Sequence, residues 1–340
     1  MRIATMDGGT TNTRVYIWQE DRIVGEARRP IGVRNTAIDG NNAALLEAIR
    51  EALLEAVRCA GVSLRELDGV VAVGMLASNL GIAEIPHIAA PVGFDALASS
   101  IVTRRVPQVW DSPIAFVPGV RNISEEELTD ETFPLMDIMR GEETEAAGLW
   151  EELSDMEGNA ILVLPGSHHK YILMDDEKNI LGCVTMLTGE VLRALTKNTI
   201  LADSLERSFA TVFDREPFLQ GMAYYGRMGF LHSAFMGRVL DLFGGEKGRA
   251  CQNYLLGILL ADEFCSLKKH PWVRAMKGVP TCIVAGQPTI QEAYRCMFQR
   301  EGWPVRFVSD EKKEALSGRG AIVLMRKWRM LKGENNGALA

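Results

Sequence analysis

Five short segments carry residue types suited to chemistry. The first is Asp7-Gly8-Gly9-Thr10-Thr11-Asn12-Thr13-Arg14. Paired glycines between two apolar runs make a tight turn whose N–H groups can approach an anion. Asp7, ending the first run, suits Mg2+ held through water. Asp-Gly and Gly-Gly are also ordinary hairpin residues, yet the Thr and Asn residues that follow make this turn more polar than a hairpin needs. Neither the G-K-S/T of a P-loop nor a G-x-G-x-x-G is present, so those phosphate motifs do not apply. The second segment, Pro165-Gly166-Ser167-His168-His169-Lys170, is a Gly-Ser turn able to hold phosphates. Its adjacent histidines point to opposite faces of a strand and do not share a metal; His169 reads as a polar strand-end residue.

The third segment is Arg140-Gly141-Glu142-Glu143-Thr144, at the start of a helix. Carboxylates there are favoured by the helix dipole with no function attached. Held ionised, one of them can accept a proton from an attacking hydroxyl. The fourth, Val284-Ala285-Gly286-Gln287-Pro288-Thr289, is a strand followed by a helix start, which either takes a ligand or is only a cap. The fifth, Gly74-Met75-Leu76-Ala77-Ser78-Asn79-Leu80-Gly81, offers small and amide groups that suit a polyol, and reads equally as a surface loop. Farther on, Ser317-Gly318-Arg319-Gly320 interrupts a good helix, where each glycine costs about 1 kcal/mol relative to alanine. Close approach of another backbone or a nucleotide explains them, and so does a helix break.

The elements that position these segments follow one pattern used twice. Strands 3–6, 13–18 and 23–27 form a meander around the first turn. Strands 160–164, 170–174 and 180–186 form another around the second. Helical patterns follow each: 43–58, with Leu45, Ile49, Leu53, Ala56 and Val57 on one face, then 93–102 and 142–153; later 253–264, a helix entered at Gln287-Pro288 and a last one over 311–331. Strands are also expected at 68–74 and 280–285. Strands first and helices after, in both halves, predict mixed α/β layers. The hinge is expected near 151–158. Arg326-Lys327-Trp328-Arg329 reads as the solvated end of a helix, and the Gly/Asn-rich tail 332–340 as a frayed end. Met136, Met139, Met222, Met228 and Met236 read as core filler.

A 340-residue chain with 47% hydrophobic residues has enough apolar surface for two domains. Its net charge of −7 gives no basic footprint for nucleic acid. No signal-peptide layout opens the sequence, and the apolar stretch 254–261 is too short to span a bilayer. Six scattered cysteines without a C-x-x-C pair predict reduced thiols, a cytoplasmic location and no zinc.

Together these segments resemble the sugar-kinase branch of the actin/Hsp70/hexokinase ATPase superfamily, and more narrowly the 2-dehydro-3-deoxygalactonokinase family. The resemblance rests on D-G-G-T-T-N-T-R (7–14), V-G-M-L-A-S-N-L-G (73–81), M-R-G-E-E-T (139–144), L-P-G-S-H-H-K-Y (164–171), L-T-G-E (187–190) and V-A-G (284–286), in the family's order. It implies an α/β protein of two RNase H-like (actin-like ATPase) domains. Each would be a mixed sheet with a β-meander plus helices, with a cleft between them that closes on ATP and Mg2+. The first domain, 1–150, would hold the first phosphate turn and the sugar-acid site. The second, 151–340, would hold the second turn and the adenosine site, its last helix being a candidate to pack back on the first.

The resemblance further implies transfer of the γ-phosphoryl group to the 6-hydroxyl of 2-keto-3-deoxygalactonate, in galactonate breakdown. Glu142 aligns with the catalytic base, with Glu143 as the alternate, and Asp7 faces the metal. Gly8, Gly9, Thr10, Thr11, Gly166, Ser167, His168 and Gly286 would bind nucleotide. Asn12, Arg14, Arg34, Ser78, Asn79 and Arg140 would bind substrate, with Arg34 and Arg140 the candidates for its carboxylate. The chain departs from the family at Ala77, where glycine is usual, and at Ile82, where tryptophan is. Its partner is a small sugar acid, with neither nucleic acid nor membrane involved, and a homodimer is compatible with it. Another sugar kinase, or a sensor that binds nucleotide without catalysis, are the competing readings.

Overall fold

The computed structural model describes residues 1–333. Of the tail read as frayed, 334–340 lie outside the described residues. The chain begins with strands β1 (Arg2–Gly8), β2 (Thr13–Gln19) and β3 (Arg22–Arg29), then helices α1 (Val33–Asp39) and α2 (Ala43–Cys59). Strands β4 (Gly69–Gly74) and β5 (Ile88–Ala89), helix α3 (Phe94–Ser99), and strands β6 (Val102–Val106), β7 (Trp110–Phe116), β8 (Val120–Arg121) and β9 (Ile138–Met139) follow. Helices α4 (Glu142–Gly148) and α5 (Trp150–Ser154) lead to β10 (Ala160–Leu164), β11 (His169–Met174) and β12 (Ile180–Met186). Next come α6 (Thr188–Asn198), α7 (Arg215–Gly244), α8 (Arg249–Lys269), α9 (Pro271–Ala275), β13 (Thr281–Val284), α10 (Pro288–Glu301) and β14 (Val305–Phe307). Helices α11 (Asp310–Lys313) and α12 (Leu316–Leu331) complete the described chain.

The two large sheets share one plan. The first runs β3-β2-β1-β4-β7-β6 and the second β12-β11-β10-β13-β14. In each, the first strand of the meander is antiparallel to the second and parallel to a later strand, β4 or β13. A parallel pair needs a crossover, which in the first sheet contains α1 and α2. A small third sheet runs β5-β8-β9.

The chain divides into two compact units. One comprises Met1–Met156, Lys178–Cys183 and the chain from Glu311; the other comprises Glu157–Glu177 and Val184–Asp310. The change of unit thus comes after 156 rather than 150, and the last helices belong with the first unit.

Alternation along β1 explains how the first unit is layered. Ala4 and Met6 join Leu45, Ile49 and Leu53 of α2 in one core. Burying each of those large side chains is worth about 1.5–3 kcal/mol. Thr5, on the other face, accepts a 2.8 Å hydrogen bond from Trp18 Nε1. Helix α12 packs on that side, against α3, α4 and β1. Its two glycines do not break it. A Cβ on Gly320 would lie 1.7 Å from the Thr144 carbonyl oxygen, so the glycine lets α12 and α4 meet backbone to backbone. The basic segment of α12 is not a solvated end either. Arg329 is buried and donates to the Asp68 carbonyl, and Trp328 is buried beside it.

Other differences have local causes. The helix expected over 142–153 is two helices meeting at Leu149, and the one over 311–331 is broken at Ala315, whose φ is 54°. Helix α7 is interrupted at Gly229 (φ 72°), and Met228 beside it is exposed rather than core. Among the described residues no helix is long and apolar enough to cross a membrane.

Candidate active site

In the first unit, the turn after β1 is closed by Gly9 N–H donating to the Asn12 carbonyl at 2.8 Å. Val33 and Arg34 N–H donate to the Gly9 and Thr10 carbonyls, so α1 holds the turn from outside. Thr10, Thr11, Asn12 and Arg14 are exposed, and Asn12 Nδ2 donates to Thr11 Oγ1 at 2.9 Å. Asp7 ends β1 between Arg14 on β2 and Val73 on β4. Its carboxylate keeps 22% of its surface exposed and sits 3.8 Å from Arg14 Nη1.

Gly74 and Gly141 bring the third segment to Asp7. Gly74 has φ 65°, and a Cβ there would stand 3.1 Å from Asp7 Oδ1 and 2.8 Å from the Gly8 carbonyl oxygen. Gly141, with φ 117°, lies against Gly74 in turn: a Cβ there would stand 3.3 Å from the Gly74 Cα. Both conformations are ones that side chains resist. The result places the first turn of α4 across Gly74 from Asp7.

Three glutamates of α4 join Asp7 there, and their environments separate them. Glu142 Oε2 accepts from Arg140 N–H at 3.0 Å. Glu143 is fully buried, and both its oxygens accept from Gly141 N–H, at 2.9 and 2.8 Å. Burial, reinforced by Glu142, pushes its carboxyl up to about 7. Glu145 is pushed up to about 8 by burial and by the charges of Glu142, Asp7 and Glu143. Asp7 rises to about 6 through burial, with Arg14 opposing and Glu142 adding to the shift. Excess negative charge thus concentrates at one point.

The loop after β4 flanks this cluster. Ser78 is buried, and its hydroxyl donates to the Met75 carbonyl at 2.7 Å, while Asn79 is exposed. Ala77 is fully buried in the core and Ile82 packs against that core, so the departures at these two positions alter the packing beneath the loop. Arg34 is exposed. Arg140 is half-buried; its Nη2 donates to the Ile85 carbonyl at 2.9 Å and lies 3.1 Å from His87 Nδ1.

In the second unit, the turn Gly166-Ser167-His168 is exposed. Gly189, in the first turn of α6, backs directly onto it: a Cβ there would lie 2.1 Å from the Gly166 carbonyl oxygen. Glu190 N–H donates to the Ser167 carbonyl, and Glu190 Oε1 lies 3.0 Å from His168 Nε2. Gly286 is buried behind Pro165, at the step from β13 to α10. A cavity of 620 Å³ opens beside this turn, lined among others by Gly166, Ser167, Arg193, Phe209, Leu255 and Thr289. Gly166 and Ser167 reach it, whereas His168 and Gly286 do not line it.

Several residues of these sites were not apparent from sequence. Gln252 and Asn253 of α8 donate to the Leu205 and Val212 carbonyls and pin the loop that walls the cavity. His169 opens β11, the strand end that its reading expects. It is buried, with Nδ1 2.8 Å from Glu263 Oε1 and 2.9 Å from Tyr294 OH. Tyr171 and Tyr294 hydroxyls both donate to Glu263 Oε2, and burial beside that carboxylate holds their own ionisation well above the usual range. The only sequence sign of this network was four polar residues in otherwise apolar runs. Among the described residues no cluster of three or more His, Cys, Asp or Glu forms a metal site.

Comparison with known proteins agrees along the chain. The family model for 2-keto-3-deoxy-galactonokinase matches residues 7–321, beginning at Asp7. The 2-dehydro-3-deoxygalactonokinase of Escherichia coli (strain K12) is 23% identical over 312 residues, covering 91% of this chain and 94% of that protein. A crystal structure from Sinorhizobium meliloti, provisionally assigned as a 2-dehydro-3-deoxygalactonokinase, superposes with a TM-score of 0.73 at 21% identity, over 97% of this chain and 99% of its own. The activator of 2-hydroxyisocaproyl-CoA dehydratase from Clostridium difficile, solved with ADPNP, shares the fold at a TM-score of 0.50 and 11% identity, over the whole of both chains. With its doubled meander plan and a family match over nearly its whole length, the chain is an actin-like ATPase fold that belongs to the 2-keto-3-deoxy-galactonokinase family, and is a sugar kinase, a phosphotransferase.

Proposed function

We propose that the protein transfers the γ-phosphoryl group of ATP to the 6-hydroxyl of 2-keto-3-deoxygalactonate, a step in galactonate breakdown. The observation that carries this reading is the meeting of Asp7 and Glu142 across Gly74, next to an exposed turn of N–H groups and hydroxyls. Phosphoryl transfer asks the protein mainly to position groups and to balance charge. Glu142 accepts the proton of the attacking hydroxyl, oriented by its bond from Arg140 N–H. Glu143, with both oxygens committed to Gly141 N–H, keeps the helix start in place and is set aside as base.

Asp7 fits Mg2+. It presents hard carboxylate oxygens, partly exposed, in a cluster whose repulsion a divalent cation relieves. Mg2+ is typically held by one or two carboxylates, waters and substrate phosphates, which suits Asp7 without a dedicated ligand cage. When bound, it neutralises charge on the phosphates. The backbone of 8–11 and the turn 166–168 bind phosphate oxygens. The 620 Å³ cavity, of the size expected for a small-molecule pocket, takes the adenosine. Arg14, Asn12, Asn79 and Arg140 contact the sugar acid, with Ser78 shaping the loop and Arg34 at its border.

A coupled ADP-release assay with MgATP tests this reading against 2-keto-3-deoxygalactonate, 2-keto-3-deoxygluconate and their parent aldonates. A clear preference for the first is the expected result. Turnover of a different acid keeps the kinase and replaces the substrate. Silence across the panel removes the reading.

A further inference from the structure

The small third sheet has a task that the reading above leaves open. Its strands β5, β8 and β9 are two residues each, in register Ile88↔Val120 and Val120↔Met139. At one end this register gathers His87, Gly119 and Arg140. The His87 ring lies against Gly119, where a Cβ would come within 2.6 Å of its Cδ2. Arg121, on β8, has its Nη1 on Glu125.

Three buried donor atoms here lack any hydrogen-bond partner: Arg140 Nη1, His87 Nε2 and Arg121 Nε. Among the described residues no carboxylate forms an ion pair with Arg140, although Glu84 and Glu143 are near enough to favour its charge. A half-buried guanidinium without a counter-ion is costly unless something else supplies the anion. Arg140 is also linked to the rest of the site. Its backbone N–H holds Glu142, and its Nη2 holds the Ile85 carbonyl, whose residue in turn donates N–H to the Ala77 carbonyl of the loop after β4.

We infer that this end of the sheet is the anion subsite of the kinase, in which His87 is a positioning residue that holds the Arg140 guanidinium, so that Arg140 Nη1 and His87 Nε2 receive the planar 2-oxo-carboxylate end of the sugar acid. The inference rests on the proposed sugar-acid reading. Its chemistry follows from the tautomer. Nδ1 accepts from Arg140 Nη2, so the ring proton sits on Nε2, a second donor that is buried and without a partner. Burial first, and then the neighbouring guanidinium groups of Arg140 and Arg121, keep the ring neutral by pushing it down to about 4. Two donors fixed relative to each other distinguish a 2-oxo acid from a sugar without a carboxylate, because the latter would leave them unpaired.

The test compares wild type with His87→Phe, His87→Gln and Arg140→Met. Steady-state kinetics with sugar acid and ATP are measured alongside calorimetric binding of 2-oxobutanoate as a minimal 2-oxo acid. His87→Phe is expected to raise KM for the sugar acid about 10–100-fold, with KM for ATP unchanged, and His87→Gln to restore most of the loss through its amide oxygen. Binding of 2-oxobutanoate should be lost in Arg140→Met and in His87→Phe while melting temperatures stay near that of wild type. An unchanged KM in His87→Phe, or 2-oxobutanoate binding that ignores both substitutions, overturns the inference. If no sugar acid turns over but 2-oxobutanoate binds in an Arg140-dependent way, the anion subsite stands and the substrate reading falls.

Discussion

Glu142, Glu143 and Glu145 share one turn and one charge yet differ in what surrounds them. Glu142→Gln should lower kcat by about 10²–10⁴-fold and leave KM for ATP within about twofold; rapid-quench and steady-state assays read both, and wild-type turnover would remove Glu142 as base. Glu145→Gln should raise stability in the absence of nucleotide, and the gain should depend on pH. The Glu145 carboxyl titrates at about 8 in the folded protein and near 4.5 when unfolded. Between those values the folded state holds the extra proton, so wild-type stability falls as pH rises and the loss is complete above about 8. Melting curves of the two proteins should therefore coincide near pH 4.5 and separate progressively up to pH 8.5, by about 5 °C or more. A constant offset would contradict the assigned cause. At this scale the sequence revealed the Arg-Gly-Glu-Glu-Thr cluster as residue types. It did not reveal the partition between Glu142 and Glu143, which depends on the backbone turn at Gly141. Glu145 drew no notice, since its shift comes first from burial, which only packing reveals, and then from Glu142 and Glu143 beside it and Asp7 far away in the chain.

Close backbone contacts fix the elements around the site. Gly320→Ala would force a Cβ into the Thr144 carbonyl and push α12 from α4. It should cost about 3 kcal/mol and also lower kcat, because Thr144 lies in the same turn as Glu142. Gly226→Ala, with nothing within 4 Å, is the control and should be neutral or slightly stabilising by thermal melt. In the second unit, Gly189→Ala should raise KM for ATP by about tenfold or more by displacing the Gly166 turn, with KM for the sugar acid little changed. The two meanders and α2 were legible because strands of five residues or more stand out between turn residues, and a 3.6-residue stripe runs the length of α2. Strands β5, β8 and β9 were not, since two residues carry no period. That is why His87 and Arg121 escaped notice. Helix α7 escaped for a different reason: Leu231, Phe235 and Phe243 are exposed, so its apolar residues do not trace a buried face.

Across the whole chain, the doubled sheet plan was readable from turn chemistry repeated at 165–168, and the sheet orders share it over five strands, the first sheet adding β6 at its edge. The return of the last helix was harder to read, since its glycines had two explanations until α4 was seen against them. Deleting residues from 311 onward should leave the first unit unfolded rather than merely weakened, because α12 covers one face of its sheet through Leu324, Met325 and Trp328. Loss of near-ultraviolet circular dichroism and of proteolytic resistance over 1–156 is the expected outcome; a cooperative melt of that stretch in the truncated chain would contradict it.

The same placement of α12 sets an order of assembly on the ribosome. Translation delivers the strands of the first unit early, yet the helix that seals them is made after the whole of the second. The stretch 184–310 is therefore complete while the opposite face of the first sheet is still open, and nascent chains stalled before residue 316 would expose that face to chaperones.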